Sequence, residues 1–118
     1  MKILVVDDEQ LVRWFLERAL TLRGHSVISA SSGAEAMHVL KYDSFDLLVT
    51  DLRMPEENGS TLISRVGEIT EEKRPRIIVC SAYITSEMAE DYKASGIGVL
   101  RKPFKLEELE KAVSGVLF

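Results

Sequence analysis

Uninterrupted apolar runs mark the chain at four places: Ile3-Leu4-Val5-Val6, Leu47-Leu48-Val49, Ile77-Ile78-Val79-Cys80 and the minimal pair Val99-Leu100. Each is too short for a helix and rich in aliphatic or β-branched residues, so each is expected as a strand buried on both faces. Ser26-Val27-Ile28-Ser29-Ala30 adds one more short strand. The four apolar runs stop at Asp7-Asp8-Glu9, at Asp51, at Ser81 and at Arg101-Lys102-Pro103.

Between the runs the period changes. Val12, Phe15, Leu16, Ala19 and Leu20 recur at helical spacing, which predicts a core-facing helix from about residue 9 to residue 23, ended by Gly24. Trp14 lies off that stripe and is expected as a half-buried flank residue. Ser32-Gly33-Ala34-Glu35 has capping-box spacing and opens a second helix to about residue 40. Asn58-Gly59-Ser60 opens a third, bearing Leu62, Ile63, Val66 and Ile69, and the charged Glu71-Glu72-Lys73-Arg74 before Pro75 is expected as a solvated helix end and turn. Thr85 or Ser86 caps a fourth helix to about residue 94, ended by Gly96. Leu106, Leu109, Ala112, Val113 and Val116 mark a last amphipathic helix.

Five strands alternating with five helices imply a parallel sheet covered by helices on both faces. The spacing is too tight for a closed eight-stranded barrel, so an open three-layer α/β sandwich is expected. The 118 residues suit a single domain over residues 1–118, without room for a second. A formal net charge of −4 speaks against nucleic acid as a direct partner. The single cysteine, Cys80, sits in an apolar run and is expected as a core residue. No apolar stretch is long enough for a bilayer, and Lys2 leads into a short run rather than a signal segment, so no membrane contact and a cytoplasmic location are expected.

In open parallel sheets, ligands bind beyond the carboxyl ends of the strands. That edge would collect Asp7 and Asp8, Asp51, Ser81 and Lys102. Two unit charges about 5 Å apart at an effective dielectric near 20 repel by roughly 3 kcal/mol. One ammonium cannot balance three carboxylates; a divalent cation added to it can, and an all-oxygen donor set favours Mg²⁺. A carboxylate nucleophile, a metal, a lysine and a hydroxyl are the parts that phosphoryl transfer requires. Pro103 restricts the backbone of Lys102 to extended forms, which helps aim its side chain. His25 after Gly24, and His38 within the second helix, are expected on the surface, apart from any metal site. Met37, Met54 and Met88 are expected as gap-fillers, and Glu56 and Glu57 as solvated loop acids.

Over its whole length the chain resembles the receiver domain of bacterial two-component response regulators. The resemblance is carried by Ile3-Leu4-Val5-Val6-Asp7-Asp8-Glu9, Gly33-Ala34-Glu35-Ala36, Asp51-Leu52-Arg53-Met54-Pro55 with Gly59, Ser81-Ala82 and Lys102-Pro103-Phe104, in this order and at these intervals. It implies a flavodoxin-like fold with strand order 2-1-3-4-5. It implies that Asp51 accepts a phosphoryl group from a phosphohistidine of a sensor histidine kinase or phosphotransfer protein, with Mg²⁺ as cofactor. Asp8 then matches the direct metal ligand, Asp7 the acid acting mainly through water, and the carbonyl of Arg53 a further ligand, with Asp51 completing the set. Ser81 matches the hydroxyl that turns to the phosphoryl group, and Lys102 the lysine that pairs first with the acceptor and then with the phosphate. The expected output is a changed surface on the fourth helix, fifth strand and fifth helix, read by an output domain or target protein, with homodimerisation on phosphorylation also implied. No output domain lies within these residues.

Two features depart from the family pattern. Val99 stands where an aromatic residue usually precedes the lysine by three positions, and the interval from Gly96 to Lys102 is one residue shorter than usual. Arg53 and Tyr83, large residues at the positions that tune phosphoryl lifetime, imply slow dephosphorylation. Two other functions compete with this one. A haloacid-dehalogenase-like phosphatase would need a second Asp where Arg53 stands, and a cap domain. A receiver-fold interaction module without phosphorylation would not need the complete set of acids and lysine, and Val99 alone favours it.

Overall fold

Polar residues that end apolar runs still complete hydrogen-bonded ladders, so the strands extend slightly past the runs. The computed structural model describes residues 1–52 and 59–117, which form β1 (Lys2–Val6), α1 (Gln10–Thr21), β2 (Ser26–Ala30), α2 (Gly33–Tyr42), β3 (Leu47–Thr50), α3 (Gly59–Val66), a 3₁₀ turn (Glu71–Lys73), β4 (Arg76–Ser81), α4 (Ser86–Ala94), β5 (Gly98–Arg101) and α5 (Leu106–Leu117). All strand pairs are parallel and the order is β2-β1-β3-β4-β5, as expected.

Because side chains alternate along a strand, the apolar runs feed two cores. Ile3, Val5, Leu47, Val49, Ile78 and Cys80 pack on Leu16, Ala19 and Leu20 of α1 and Leu109 and Val113 of α5. Leu4, Val6, Leu48, Ile77 and Val79 pack on Ala36 of α2 and Leu62 and Val66 of α3, with Met88 and Tyr92 of α4 against the same cluster. The sheet is therefore covered on both faces.

Local signals act where expected. Ser32 caps α2 by accepting from the Glu35 amide at 3.1 Å, while the Glu35 carboxylate reaches back to the amide of Ser31 rather than that of Ser32. Thr85, not Ser86, caps α4, accepting from the Met88 amide. Gly24 (φ +87°) and Gly96 (φ +79°) adopt the left-handed conformation that ends α1 and α4. The amide of the following residue closes each turn, His25 onto the Leu20 carbonyl and Ile97 onto that of Tyr92.

Three expectations about packing are corrected. Phe15 sits on the helical stripe but is 43 % exposed, because it lies beside the loop after β5, where its ring lines an open cleft with Phe104, 5.6 Å away between centroids. Trp14 is 56 % exposed rather than half-buried. Helix α3 ends at Val66, before Ile69, which nevertheless packs on the second core, and the charged run forms a 3₁₀ turn. His38 lies on the surface, its ring edge against Tyr42, whereas His25 is partly covered, with Nδ1 3.3 Å from the N-terminal amine. Among the described residues no helix is long and apolar enough to cross a membrane.

Candidate phosphoacceptor site

Strand register brings the acids together. Val6 pairs with Thr50, so Asp7 and Asp51 leave adjacent strands side by side. The Asp7 amide still bonds the Ala30 carbonyl (3.2 Å) and the Asp51 amide the Val6 carbonyl (2.9 Å), fixing both backbones at the carboxyl edge. Lys102 approaches from the other side of β4. Its amide bonds the Ser81 carbonyl at 3.1 Å, continuing the β4–β5 ladder, and its side chain crosses to the acids. The ammonium donates to Asp7 Oδ2 (2.7 Å), Asp51 Oδ2 (3.0 Å) and Glu9 Oε1 (3.2 Å). The Lys102–Pro103 peptide is cis.

The carboxylates are aimed by their own backbones. Asp7 Oδ1 accepts from the Glu9 amide (2.9 Å), and Asp51 Oδ1 from the Leu52 amide (2.7 Å). Arg13 donates to the Asp7 carbonyl at 2.6 Å and so braces the turn that presents the acids. Asp7 and Asp51 are buried, and Asp8 and Glu9 face solvent. Ser81 is wholly buried beside Lys102, and its Oγ accepts from the Tyr83 amide at 3.1 Å.

Charge does not balance here. Asp7, Asp8, Glu9 and Asp51 each place a carboxylate oxygen within 4.8 Å of the others. Four acids face one ammonium, and burial makes the excess costly. Burial pushes the Asp7 carboxyl above the usual range, outweighing its hydrogen bond to Lys102. Burial alone would lower the Lys102 pKa; hydrogen bonds to Asp7 and Asp51 more than offset this and hold its ammonium above the ordinary lysine value. The donor set fits a hard divalent cation: it is all oxygen, open to solvent on the Asp8 side, and short of positive charge. Burial likewise pushes the Cys80 thiol up to about 12, which makes it an inert core residue.

Of the residues expected at the site, the structure brings Asp7, Asp8, Asp51 and Lys102 together and places Ser81 beside the lysine's strand. Arg53 lies outside the described residues, as do Met54, Glu56 and Glu57. Glu9 and Arg13 were missed as members of the site. Glu9 left a trace, as the third acid of Asp7-Asp8-Glu9, whereas nothing in the sequence marked Arg13, whose partner is a main-chain oxygen. A cleft of about 460 Å³ adjoins the site, lined by Leu11, Val12, Phe15, Pro103 and Phe104 together with Glu9 and Lys102.

Comparison with known proteins agrees with this fold. A family model described as "Response regulator receiver domain" matches residues 3–114. The response regulator MprA of Mycobacterium avium is 37% identical over 109 residues, which is 92% of this chain and 47% of that protein. The probable transcriptional regulator ycf27 of Porphyridium aerugineum is 34% identical over 116 residues, 98% of this chain and 48% of that protein. The chain thus spans about half the length of these curated relatives. Among solved structures, the Vibrio cholerae chemotaxis protein CheY4 superimposes with a TM-score of 0.87 at 30% identity, covering 98% of this chain and 97% of that one. A response regulator receiver protein from Pseudomonas putida gives 0.82 at 33% identity, covering 96% and 94%.

Proposed function

The chain belongs to the response regulator receiver family, and from that premise we propose that it is a phosphorylation-controlled switch whose covalent acceptor is Asp51. The observation that carries this reading is the Lys102 ammonium, shared between buried Asp7 and buried Asp51 inside an acidic cluster. A purely structural ion pair has no need of the surplus acids.

In the proposed reaction a carboxylate oxygen of Asp51 attacks the phosphorus of a phosphohistidine on a sensor histidine kinase or phosphotransfer protein. The P–N bond breaks, and the imidazole leaves with the electron pair. Mg²⁺ held by Asp8 and Asp51, with Asp7 acting through water and the Arg53 carbonyl as a further ligand, would supply the charge that neutralises the transferring oxygens. Lys102 starts on Asp51 Oδ2 and follows the charge onto the phosphoryl group. Asp7 keeps the other side of the ammonium and holds it over the site. The Leu52 amide on Asp51 Oδ1 fixes the carboxylate plane.

Ser81 connects the site to the surface. Its hydroxyl turns to donate to the phosphoryl group and loosens its bond to the Tyr83 amide. Tyr83 leads through Ile84, packed on the second core, to Thr85, the cap of α4. That backbone route reaches the face of α4, β5 and α5 without an aromatic side chain at Val99, which is half-buried and paired with Val79. An output domain or target protein would read that face, and phosphorylation would favour pairing of two copies through it. The acidic balance supports protein partners rather than nucleic acid, and a cytoplasmic signalling role fits. In this reading the domain is a signalling phosphoacceptor that catalyses only its own phosphotransfer and dephosphorylation.

The test is incubation with acetyl phosphate and Mg²⁺ followed by intact mass. A single phosphoryl adduct is expected, falling to background in Asp51→Asn and on chelation of the metal. Absence of an adduct with acetyl phosphate, phosphoramidate and a histidine kinase alike would sink the reading. Steady hydrolysis of a phosphomonoester would replace it with an enzyme.

A further inference from the structure

Glu9 is the residue of the cluster that neither the strand ends nor the proposed chemistry calls for. It occupies the N-cap position of α1, where a short Ser, Thr, Asp or Asn side chain ordinarily accepts from the first amides of the helix. Here, among the described residues, its side chain makes no such bond. It turns instead to Lys102, with Oε1 at 3.2 Å from the ammonium, and brings a carboxylate oxygen within 4.8 Å of those of Asp7, Asp8 and Asp51. Its side chain is 61% exposed, against 1% for Asp7 and 7% for Asp51. It also lines the cleft beside Lys102. Glu9 therefore carries a formal charge at the solvent mouth of a site whose floor is already short of positive charge.

We propose that Glu9 is an outer acid that sets which charges enter the site, drawing the divalent cation in and disfavouring small anionic phosphodonors. The inference rests on the proposed phosphoacceptor reading. Both effects follow from one carboxylate acting at short range through partly screened solvent, attractive to a dication and repulsive to a free anionic phosphodonor. A protein donor differs from a small anion because its phosphoryl group arrives within a docked surface. The charge at the mouth thus selects for docked donors over free metabolic ones of the acyl phosphate class.

Glu9→Gln tests this cleanly. The amide keeps an oxygen that can accept from Lys102 and removes only the charge, and no cap bond is lost. Two quantities are measured: Mg²⁺ affinity by calorimetric titration, and the rate of adduct formation from acetyl phosphate at saturating Mg²⁺. The expected result is Mg²⁺ binding about fivefold weaker together with labelling about threefold faster, both differences shrinking at high salt. The gain is smaller with phosphoramidate, which carries less negative charge. Glu72→Gln, the same charge change on an exposed residue ahead of β4, moves neither quantity. A Glu9→Gln protein that lacks either change, or that loses binding and labelling together, overturns the inference, as does a Glu72→Gln protein with the same changes. Wild-type protein that binds no Mg²⁺ and takes no label from acetyl phosphate, phosphoramidate or a histidine kinase overturns the phosphoacceptor reading itself, and this inference with it.

Discussion

The two edges of the sheet carry the same residue types and behave differently. At the amino edge Lys2 pairs with Asp43, both side chains more than a third exposed, and its ammonium lies 5.2 Å from the centre of the Phe45 ring. Asp46 accepts from the Lys2 amide at 2.8 Å. At the carboxyl edge Lys102, 12% exposed, pairs with Asp7 and Asp51. The hydrogen bond from Lys2 holds the Asp43 carboxyl below its usual range, whereas burial raises Asp7 in spite of Lys102. An aspartate–lysine pair is thus not a site by composition. It becomes one where desolvation outweighs pairing and acids outnumber the cation, because only there does unbalanced charge remain for a metal or a phosphoryl group to relieve.

Removing the cation at each edge should separate them most. Lys102→Met leaves two buried carboxylates facing each other and is expected to lower stability at pH 7, without metal, by about 3 kcal/mol in urea unfolding. On the proposed reading Mg²⁺ should return part of that loss, since a cation held only by the folded acid cluster stabilises the fold. Lys2→Met should leave the urea midpoint nearly unchanged, because both partners of the lost pair reach water. Equal losses at the two edges would break the comparison.

How visible this contrast was in the sequence depended on the kind of signal. The strands were legible because a parallel sheet buries both faces and leaves unbroken apolar runs, and Asp7, Asp51 and Lys102 were legible because they interrupt those runs at one end. Asp43 and Lys2 are charges of the same size and opposite sign, yet Lys2 opens β1 and Asp43 precedes β3, which puts both at the other edge. Solvent exposure was less legible. Phe15 follows the helical period of the core stripe, but that period says nothing of where the sheet and its helices stop, and α1 begins beside the sheet's end. Glu9 was hidden for a related reason: an acid at a helix start has an ordinary explanation in the helix dipole, and only the position of Lys102 shows that its side chain goes elsewhere. The exit of α3 at Val66 was beyond the pattern because Ile69 stays in the core after the helix has ended.

The surplus of acid can be tested separately from the cation. Asp8 is the exposed member of the acid pair, close to three other carboxylates. Asp8→Asn is expected to raise metal-free stability by roughly 1 kcal/mol, as relief of like-charge repulsion near the surface. The added stability conferred by Mg²⁺ should shrink at the same time. A metal-free protein made less stable by this change would mean that Asp8 is paired rather than surplus, and that the edges differ in burial alone.

The smallest expected effect lies at the amino edge, in acid. The folded pKa of Asp43 is depressed below 3.8 by Lys2, so its contribution to stability is present above the unfolded value and is lost as pH falls through the folded one. Asp7 has the opposite sign: its folded pKa is raised, so ionisation costs more in the fold, and stability falls as pH rises from about 3.8 through the folded value. On acidification the amino edge therefore loses stability while the carboxyl edge regains some. Asp43→Asn removes only the first of these. Its urea midpoint should sit slightly below that of the wild type near neutral pH, and the gap should close as pH falls from about 3.8 through the lower folded value, where the wild type loses the same contribution. A constant gap at every pH would show that the Lys2–Asp43 pair carries no net charge coupling. In that case proton linkage in this fold would reside at the buried edge alone, where pairing and desolvation compete.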